Sequence, residues 1–163
     1  MPLREYLEGK YGPGALEGVG GRLAEAAAAD GLPLLDLGDE TVRPSTFAAH
    51  RLMIAALELG ERTQQALAEA LLAACWARGE DVGARAVLED LSGAAGMPAE
   101  RVATALDDES YAEAVRAEER RAAELGIRAV PTFVFDGRFA VSGAQPSRVL
   151  ADAVRRAASG SLG

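Results

Sequence analysis

Two residue types that often carry nucleophilic or acid–base chemistry occur only once each in this sequence. They are cysteine, at Cys75, and histidine, at His50. Thiol–disulfide exchange needs an attacking thiolate with a lowered pKa and a second thiol that resolves the mixed disulfide. One cysteine cannot supply both thiols, so we predict no catalytic residue among these 163.

The positions of Cys75 and His50 favour structural roles. Cys75 follows an apolar helical stretch and precedes Trp76, so it is predicted near a helix end, where the macrodipole opposes a thiolate. Packing as a small hydrophobic residue is the favoured interpretation, and a reactive or intermolecular thiol is the alternative. For His50, capping or packing is favoured over acid–base chemistry. No second cluster of ligands accompanies it, so neither a metal nor a cofactor is predicted.

The charge and hydropathy of the chain exclude several classes of partner. A net charge of −8 argues against nucleic acid and against anionic membrane surfaces, because both require a basic face. No apolar run approaches the roughly 18 residues that span a bilayer. The first residues lack a cationic segment followed by an apolar one, so no signal peptide is predicted. A single cysteine also agrees with a reducing compartment, which makes the cytoplasm the expected location.

Most of the chain has the spacing of amphipathic helices separated by glycine and proline. Ser45 or Thr46 is expected to cap one of them, and Asp107 or Asp108 another. Short connections between successive helices predict a compact helical subdomain. The predicted helices cover 2–9, 15–29, the stretch from the Ser45 or Thr46 cap to 59, 63–78, 84–95, a short stretch that opens at Pro98, and 109–125. The apolar stripe of the second helix is Leu16, Val19, Leu23, Ala26 and Ala27, and that of the third is Ala48, Leu52, Ala55 and Leu59; both stripes are expected to face inward.

The pattern changes near residue 129, where β-forming residues replace the helical spacing. Thr132–Phe135 and Phe139–Val141 are predicted to pair antiparallel around an Asp136-Gly137 turn. Pro146 is expected to open a last helix, with Val149, Leu150 and Val154 facing inward. Two strands and one helix make a marginal sheet, so the hairpin needs further strands or packs as a minor appendage.

Three segments together resemble a known family. They are Gly126-Ile-Arg-Ala-Val-Pro-Thr-Phe-Val-Phe135, the Asp136-Gly137 turn, and Val141-Ser-Gly-Ala-Gln-Pro146. In this order they resemble the DsbA family of thioredoxin-fold proteins, and within it the FrnE-like branch of disulfide oxidoreductases. That branch is related to 2-hydroxychromene-2-carboxylate isomerases and kappa-class glutathione transferases. Ala49-His-Arg-Leu52 is similar to its helical insertion, and the resemblance runs from about Leu3 to about Ala157.

The resemblance implies a fold class and a division of the chain. The expected class is α/β, mostly α in this chain: a thioredoxin-like DsbA fold with a helical insertion. The family's N-terminal β-α-β segment and its Cys-x-x-Cys motif would precede Met1, so both are expected to be absent from these residues. The implied parts are residues 1–44, N-terminal helices and linker; 45–126, the insertion; and 127–163, the C-terminal hairpin and helix.

The resemblance also implies a function and a site. It makes the chain a thiol–disulfide oxidoreductase family protein, inactive or incomplete as it stands, and leaves open whether it is an enzyme. Val130, Pro131 and Thr132 would bind a thiol or disulfide peptide, or a glutathione-like molecule, with the Val130–Pro131 bond cis. The alternatives are an isomerase or glutathione transferase of the same fold, or a non-catalytic partner-binding protein. The open hairpin edge is expected to support a homodimer.

Overall fold

The computed structural model describes residues 1–160, which form two compact units, one of residues 1–115 and one from Arg116 onward. Unit 1 is helical, and unit 2 contains the end of one helix, a β-hairpin and a final helix. The elements are α1 Leu3–Tyr11, α2 Ala15–Ala29, α3 Phe47–Leu59, α4 Glu61–Ala73, a π-helix Ala74–Arg78, α5 Arg85–Ala94, α6 Ala99–Asp107, α7 Glu109–Glu124, β1 Thr132–Phe135, β2 Phe139–Ser142 and α8 Ser147–Ser159.

The core of unit 1 lies where α3, α4, α5 and α6 meet, and the start of α7 covers it. It is built from small and medium aliphatic side chains, as expected from a sequence that is 49% hydrophobic but only 5% aromatic. Leu52, Leu67 and Leu88 are fully buried in it. Alanines at the helix contacts allow the backbones to approach closely.

Arg51 on α3 forms hydrogen bonds to the end of α6. Its Nε donates to the carbonyl of Ala105 at 2.8 Å, and its Nη2 donates to the carbonyl of Asp108 at 2.8 Å. The last carbonyls of a helix lack partners within the helix, so a guanidinium that reaches two of them stabilises that end. Just beyond, Asp108 Oδ1 accepts the backbone N–H of Ser110 at 2.8 Å, which confirms the predicted cap of α7.

Two details of the predicted helices were wrong. Neither Ser45 nor Thr46 caps α3 with its side chain, because Thr46 precedes the helix at φ −98°, ψ 2° and its hydroxyl makes no cap bond. The single helix predicted for 63–78 begins at Glu61 and changes to a π-helix at Ala74. The wider π turn ends at Gly79, whose φ of +68° is one that glycine adopts without strain.

Unit 2 contains the predicted hairpin. Phe133 pairs with Val141, and Phe135 pairs with Phe139, in an antiparallel register. Asp136 and Gly137 both have positive φ, and Arg138 N–H donates to the Phe135 carbonyl at 3.0 Å. These are features of the hairpin turns whose backbone twist matches the right-handed twist of the flanking strands. The sheet formed by the described residues has these two strands, and α8 contacts β1.

Several residues that were predicted to face inward are exposed. On α8, Val149 and Val154 are exposed while Ala153 is buried, because a two-stranded sheet offers little surface on which a whole helix face can pack. Leu59 at the end of α3 is exposed as well. On α2, Leu16 is buried, whereas Leu23 and Ala26 of the same stripe are exposed.

The units found by contacts divide the chain at a different place from the predicted segments 1–44, 45–126 and 127–163. The two units are defined by how compactly residues pack, whereas the predicted segments were defined by resemblance to a family. The three-part division therefore stays a prediction. None of the helices in residues 1–160 is both long and apolar enough to cross a bilayer.

Candidate functional site

The segment before β1 displays an apolar side chain to solvent. Val130 is 90% exposed, the largest exposed fraction among the described large hydrophobic residues. Pro131 beside it is exposed, and Thr132 is half-buried. The Val130–Pro131 peptide bond is cis, the isomer that the family resemblance implies.

Two hydrogen bonds hold this segment in place. Thr132 Oγ1 donates to the carbonyl of Ala129 at 2.7 Å, which closes a tight loop around Val130. The N–H of Gly143 donates to the carbonyl of Pro131 at 2.8 Å and extends the hairpin ladder by one pair. Val130 thus lies between two anchored neighbours. Among residues 1–160 its own N–H and carbonyl form no hydrogen bond, so both remain free to bind a ligand.

The backbone of β1 continues this free edge. In an antiparallel pair, residues that exchange hydrogen bonds alternate with residues that do not. Because the ladder bond joins Pro131 and Gly143, the bonded residues of β1 are Phe133 and Phe135. The N–H and C=O groups of Thr132 and Val134 therefore point away from β2. With Val130, they form a row of donors and acceptors that an extended peptide can pair with.

Cys75 lies in the π-helix of unit 1 and is half-buried against the core. Burial raises the pKa of its thiol, and the negative charge of Asp81 raises it further. Both effects favour the neutral thiol, the weaker nucleophile. The geometry agrees with the predicted packing role and gives no support to a redox role for this thiol.

Alkylation of Cys75 by iodoacetamide should be slower at pH 7 than that of a free cysteine. Its rate should rise with pH through an apparent pKa above the ordinary value, because burial and Asp81 disfavour the thiolate. Asp81→Asn keeps an oxygen that can accept the Gly83 N–H bond and removes the charge. The variant should react roughly twofold faster at pH 8. Asp90→Asn is the matched control, and a wild-type rate equal to that of free cysteine would contradict this assignment.

His50 is exposed on α3, and its side chain forms no hydrogen bond within residues 1–160, so neither the packing role nor the capping role predicted for it is observed. Over the same residues, no group of three or more histidine, cysteine, aspartate or glutamate side chains could hold a metal ion. The candidate site therefore consists of the segment Val130–Thr132 and the adjoining edge of β1.

Comparison with known proteins identifies the family. A model of the DSBA-like thioredoxin domain matches residues 6–155, which is most of the chain. The chain belongs to the DSBA-like thioredoxin domain family. The predicted fold class and the resemblance to DsbA proteins are thereby confirmed, and the FrnE-like branch stays a prediction.

Solved structures agree with this assignment. The DSBA-like chain is similar to a probable DsbA oxidoreductase from Streptomyces coelicolor, with a TM-score of 0.86 and 37% sequence identity. That match covers 100% of this chain and 70% of the other. A candidate protein disulfide isomerase from Nitrosomonas europaea has a TM-score of 0.73 at 19% identity over 91% of this chain and 74% of its own, and it shows the fold alone. No curated protein matches the chain. The family is therefore one of thiol–disulfide oxidoreductases with the thioredoxin-like DsbA fold.

The sequence led to Val130, Pro131 and Thr132 only through the resemblance, and the structure brings these three neighbours together with the free edge of β1. The hydrogen bond from Thr132 back to Ala129 was not foreseen, although threonine hydroxyls often bond to a backbone carbonyl three residues earlier. Arg128 was also passed over. It is exposed two residues before Val130 and forms no ion pair among the described residues.

Proposed function

We propose that this DSBA-like chain binds extended thiol- or disulfide-containing peptides through Val130, Pro131 and Thr132. The observation that carries the proposal is the display of Val130, which is 90% exposed on a segment anchored on both sides. A pre-ordered apolar residue with a free backbone costs little entropy to engage, and a peptide strand satisfies its N–H and carbonyl together.

The exchange chemistry itself requires more than this chain carries. A thiolate attacks the substrate disulfide, one cysteine of that substrate leaves as a thiolate, and a second thiol must then release the mixed disulfide. Cys75 is the one thiol in these 163 residues, and the pKa of that thiol is raised. We therefore propose binding without turnover for the chain as it stands, with no cofactor and no catalytic residue of its own. We also propose that the chain belongs to the FrnE-like branch of the family. A cytoplasmic location is proposed as well, because a single cysteine agrees with a reducing compartment.

An isomerase or glutathione transferase of the same fold is the second candidate, and one observation favours it. Arg128 is exposed beside the segment, where a guanidinium suits the carboxylates of glutathione. The same cation also suits an acidic peptide. Titration calorimetry with glutathione separates the two, because the second candidate needs saturable binding that Arg128→Ala removes.

A homodimer through the hairpin edge is part of the proposal as well. The outward N–H and C=O groups of Thr132 and Val134 can pair with the same groups of a second copy. A two-fold pairing of this kind would cover the peptide-binding row. Peptide binding and dimerisation should therefore compete.

Val130→Glu should weaken binding of a fluorescent, cysteine-containing decapeptide about five- to tenfold, because it removes the apolar contact of one side chain. Fluorescence anisotropy measures the affinity. Val154→Glu is the control, since Val154 is another exposed valine of unit 2 and lies on α8, outside the segment Val130–Thr132.

Equal affinity of the Val130→Glu variant and the wild-type chain would overturn the proposed site. Sedimentation equilibrium of the same samples, with and without peptide, tests the dimer. A dimer should dissociate as peptide is added, and a monomer at every concentration without peptide would contradict pairing along the edge.

A further inference from the structure

An apolar groove in unit 1 is lined by none of the residues of the candidate peptide site. It has a volume of about 540 Å³ and is formed by the end of α2, the following loop, and the outer face of α4 with the π-helix. Leu32 is 61% exposed and Leu72 59%, and Leu23 and Trp76 are exposed beside them. Four large hydrophobic residues contiguous on a surface exceed the scattered exposure that soluble domains normally show.

Hydrogen bonds hold the walls of this groove. The N–H of Leu32 donates to the Ala27 carbonyl at 2.8 Å and folds the loop back over the end of α2. The N–H of Leu35 donates to the Trp76 carbonyl at 2.7 Å, which ties the loop to the π-helix. The side chain of Leu35 packs against Gly79, where a Cβ would lie 2.9 Å from Leu35 Cδ2, and the φ of +68° at this position favours glycine. The concave shape of the groove is thus set by backbone hydrogen bonds.

The charged side chains that line the groove are all acidic. The charged residues that line it are Asp30 and Glu69, and neither forms an ion pair in the described part of the chain. Glu69 accepts one hydrogen bond from Gln65, and no cation lines the groove. Trp76 adds the face of an indole, which attracts cations within about 6 Å of the ring. An apolar lining that includes two carboxylates and an indole is complementary to an apolar cation.

We propose that this groove binds a small apolar molecule that carries one cationic group, of the alkylammonium or arylammonium class. The volume lies within the range of small-molecule sites, about 300–1,000 Å³. A second copy of this chain is disfavoured as the occupant, because it would bring the same two carboxylates and a net charge of −8 to the interface. The proposal is independent of peptide binding, since all of its residues lie in unit 1.

Trp76 makes the test direct, because it is the only tryptophan of the chain and it lines the groove. Titration with octyltrimethylammonium, octanoate and 1-octanol, each below its micelle or solubility limit, compares one apolar body with three head groups. Octyltrimethylammonium should shift the Trp76 emission saturably and bind roughly three- to tenfold more tightly than octanol at low salt, with octanoate weakest. One molar salt should remove most of this difference.

Two sets of variants locate the site. Asp30→Asn combined with Glu69→Gln should remove most of the preference for the cation, leaving the part due to Trp76, and should leave octanol affinity unchanged. Leu72→Ser should weaken all three ligands about fivefold, and Leu57→Ser, at an exposed leucine of α3, should not. A linear, unsaturable response to all three ligands would overturn the proposal. So would saturable binding that Leu72→Ser leaves unchanged, or a cation preference that the double substitution does not reduce.

Discussion

Leu52→Ala should lower the free energy of unfolding of unit 1 by about 3 kcal/mol. Leu52 is fully buried at the centre of the core where α3 meets α4, α5 and α6. Its neighbours there include alanines, which are too short to fill the space that a leucine side chain vacates. The loss therefore combines the transfer of the side chain with a cavity that collapses only partly.

Urea denaturation followed by Trp76 fluorescence measures this effect, because the only tryptophan lies in unit 1. Leu57→Ala is the matched control on the same helix, since Leu57 is 49% exposed, and it should cost less than about 1 kcal/mol. Equal losses for the two variants would mean that the core does not lie where α3 and its neighbours meet.

Arg51→Met should cost about 2–3 kcal/mol, because it removes two hydrogen bonds from a charged donor and leaves two carbonyls at the end of α6 without that partner. Methionine keeps most of the apolar stem, so the loss reports the guanidinium. Arg51→Lys should recover only part of the stability, since an ammonium lacks the planar fork that reaches both Ala105 and Asp108.

The control for Arg51 is Arg62→Met, at an exposed arginine of α4 that forms no hydrogen bond or ion pair in residues 1–160. It should change the free energy of unfolding by no more than about 0.5 kcal/mol. The same urea experiment measures all three variants. If Arg51→Met and Arg62→Met change the free energy of unfolding equally, the hydrogen bonds from Arg51 to the end of α6 contribute nothing measurable to stability.

Much of the fold could be predicted because its signals are local. The bounds of α2 at Ala15 and Ala29 follow from apolar spacing closed by glycine and proline, and the hairpin follows from the Asp136-Gly137 turn. Both depend on backbone preferences within a few residues. The core face of α3 was predicted through Leu52 and Ala55 for the same reason.

What could not be predicted depends on neighbours distant in the sequence. The π-helix of Ala74–Arg78 accompanies a bond from the loop to the Trp76 carbonyl, which no local pattern indicates. Val149 and Val154 have helical spacing, yet burial requires a surface opposite them. The candidate site followed only from resemblance, because Val130 looks like an ordinary strand residue until its exposure and anchoring are known.

The central claim is that Val130–Thr132 and the edge of β1 bind an extended peptide while the chain performs no exchange of its own. Amide chemical shifts of the ¹⁵N-labelled chain, recorded during titration with a disulfide-containing peptide, test it most directly. The account predicts saturable shifts that centre on Val130, Thr132 and Val134, with the peptide disulfide left intact. Shifts confined to unit 1, or none at a saturating peptide concentration, would contradict it.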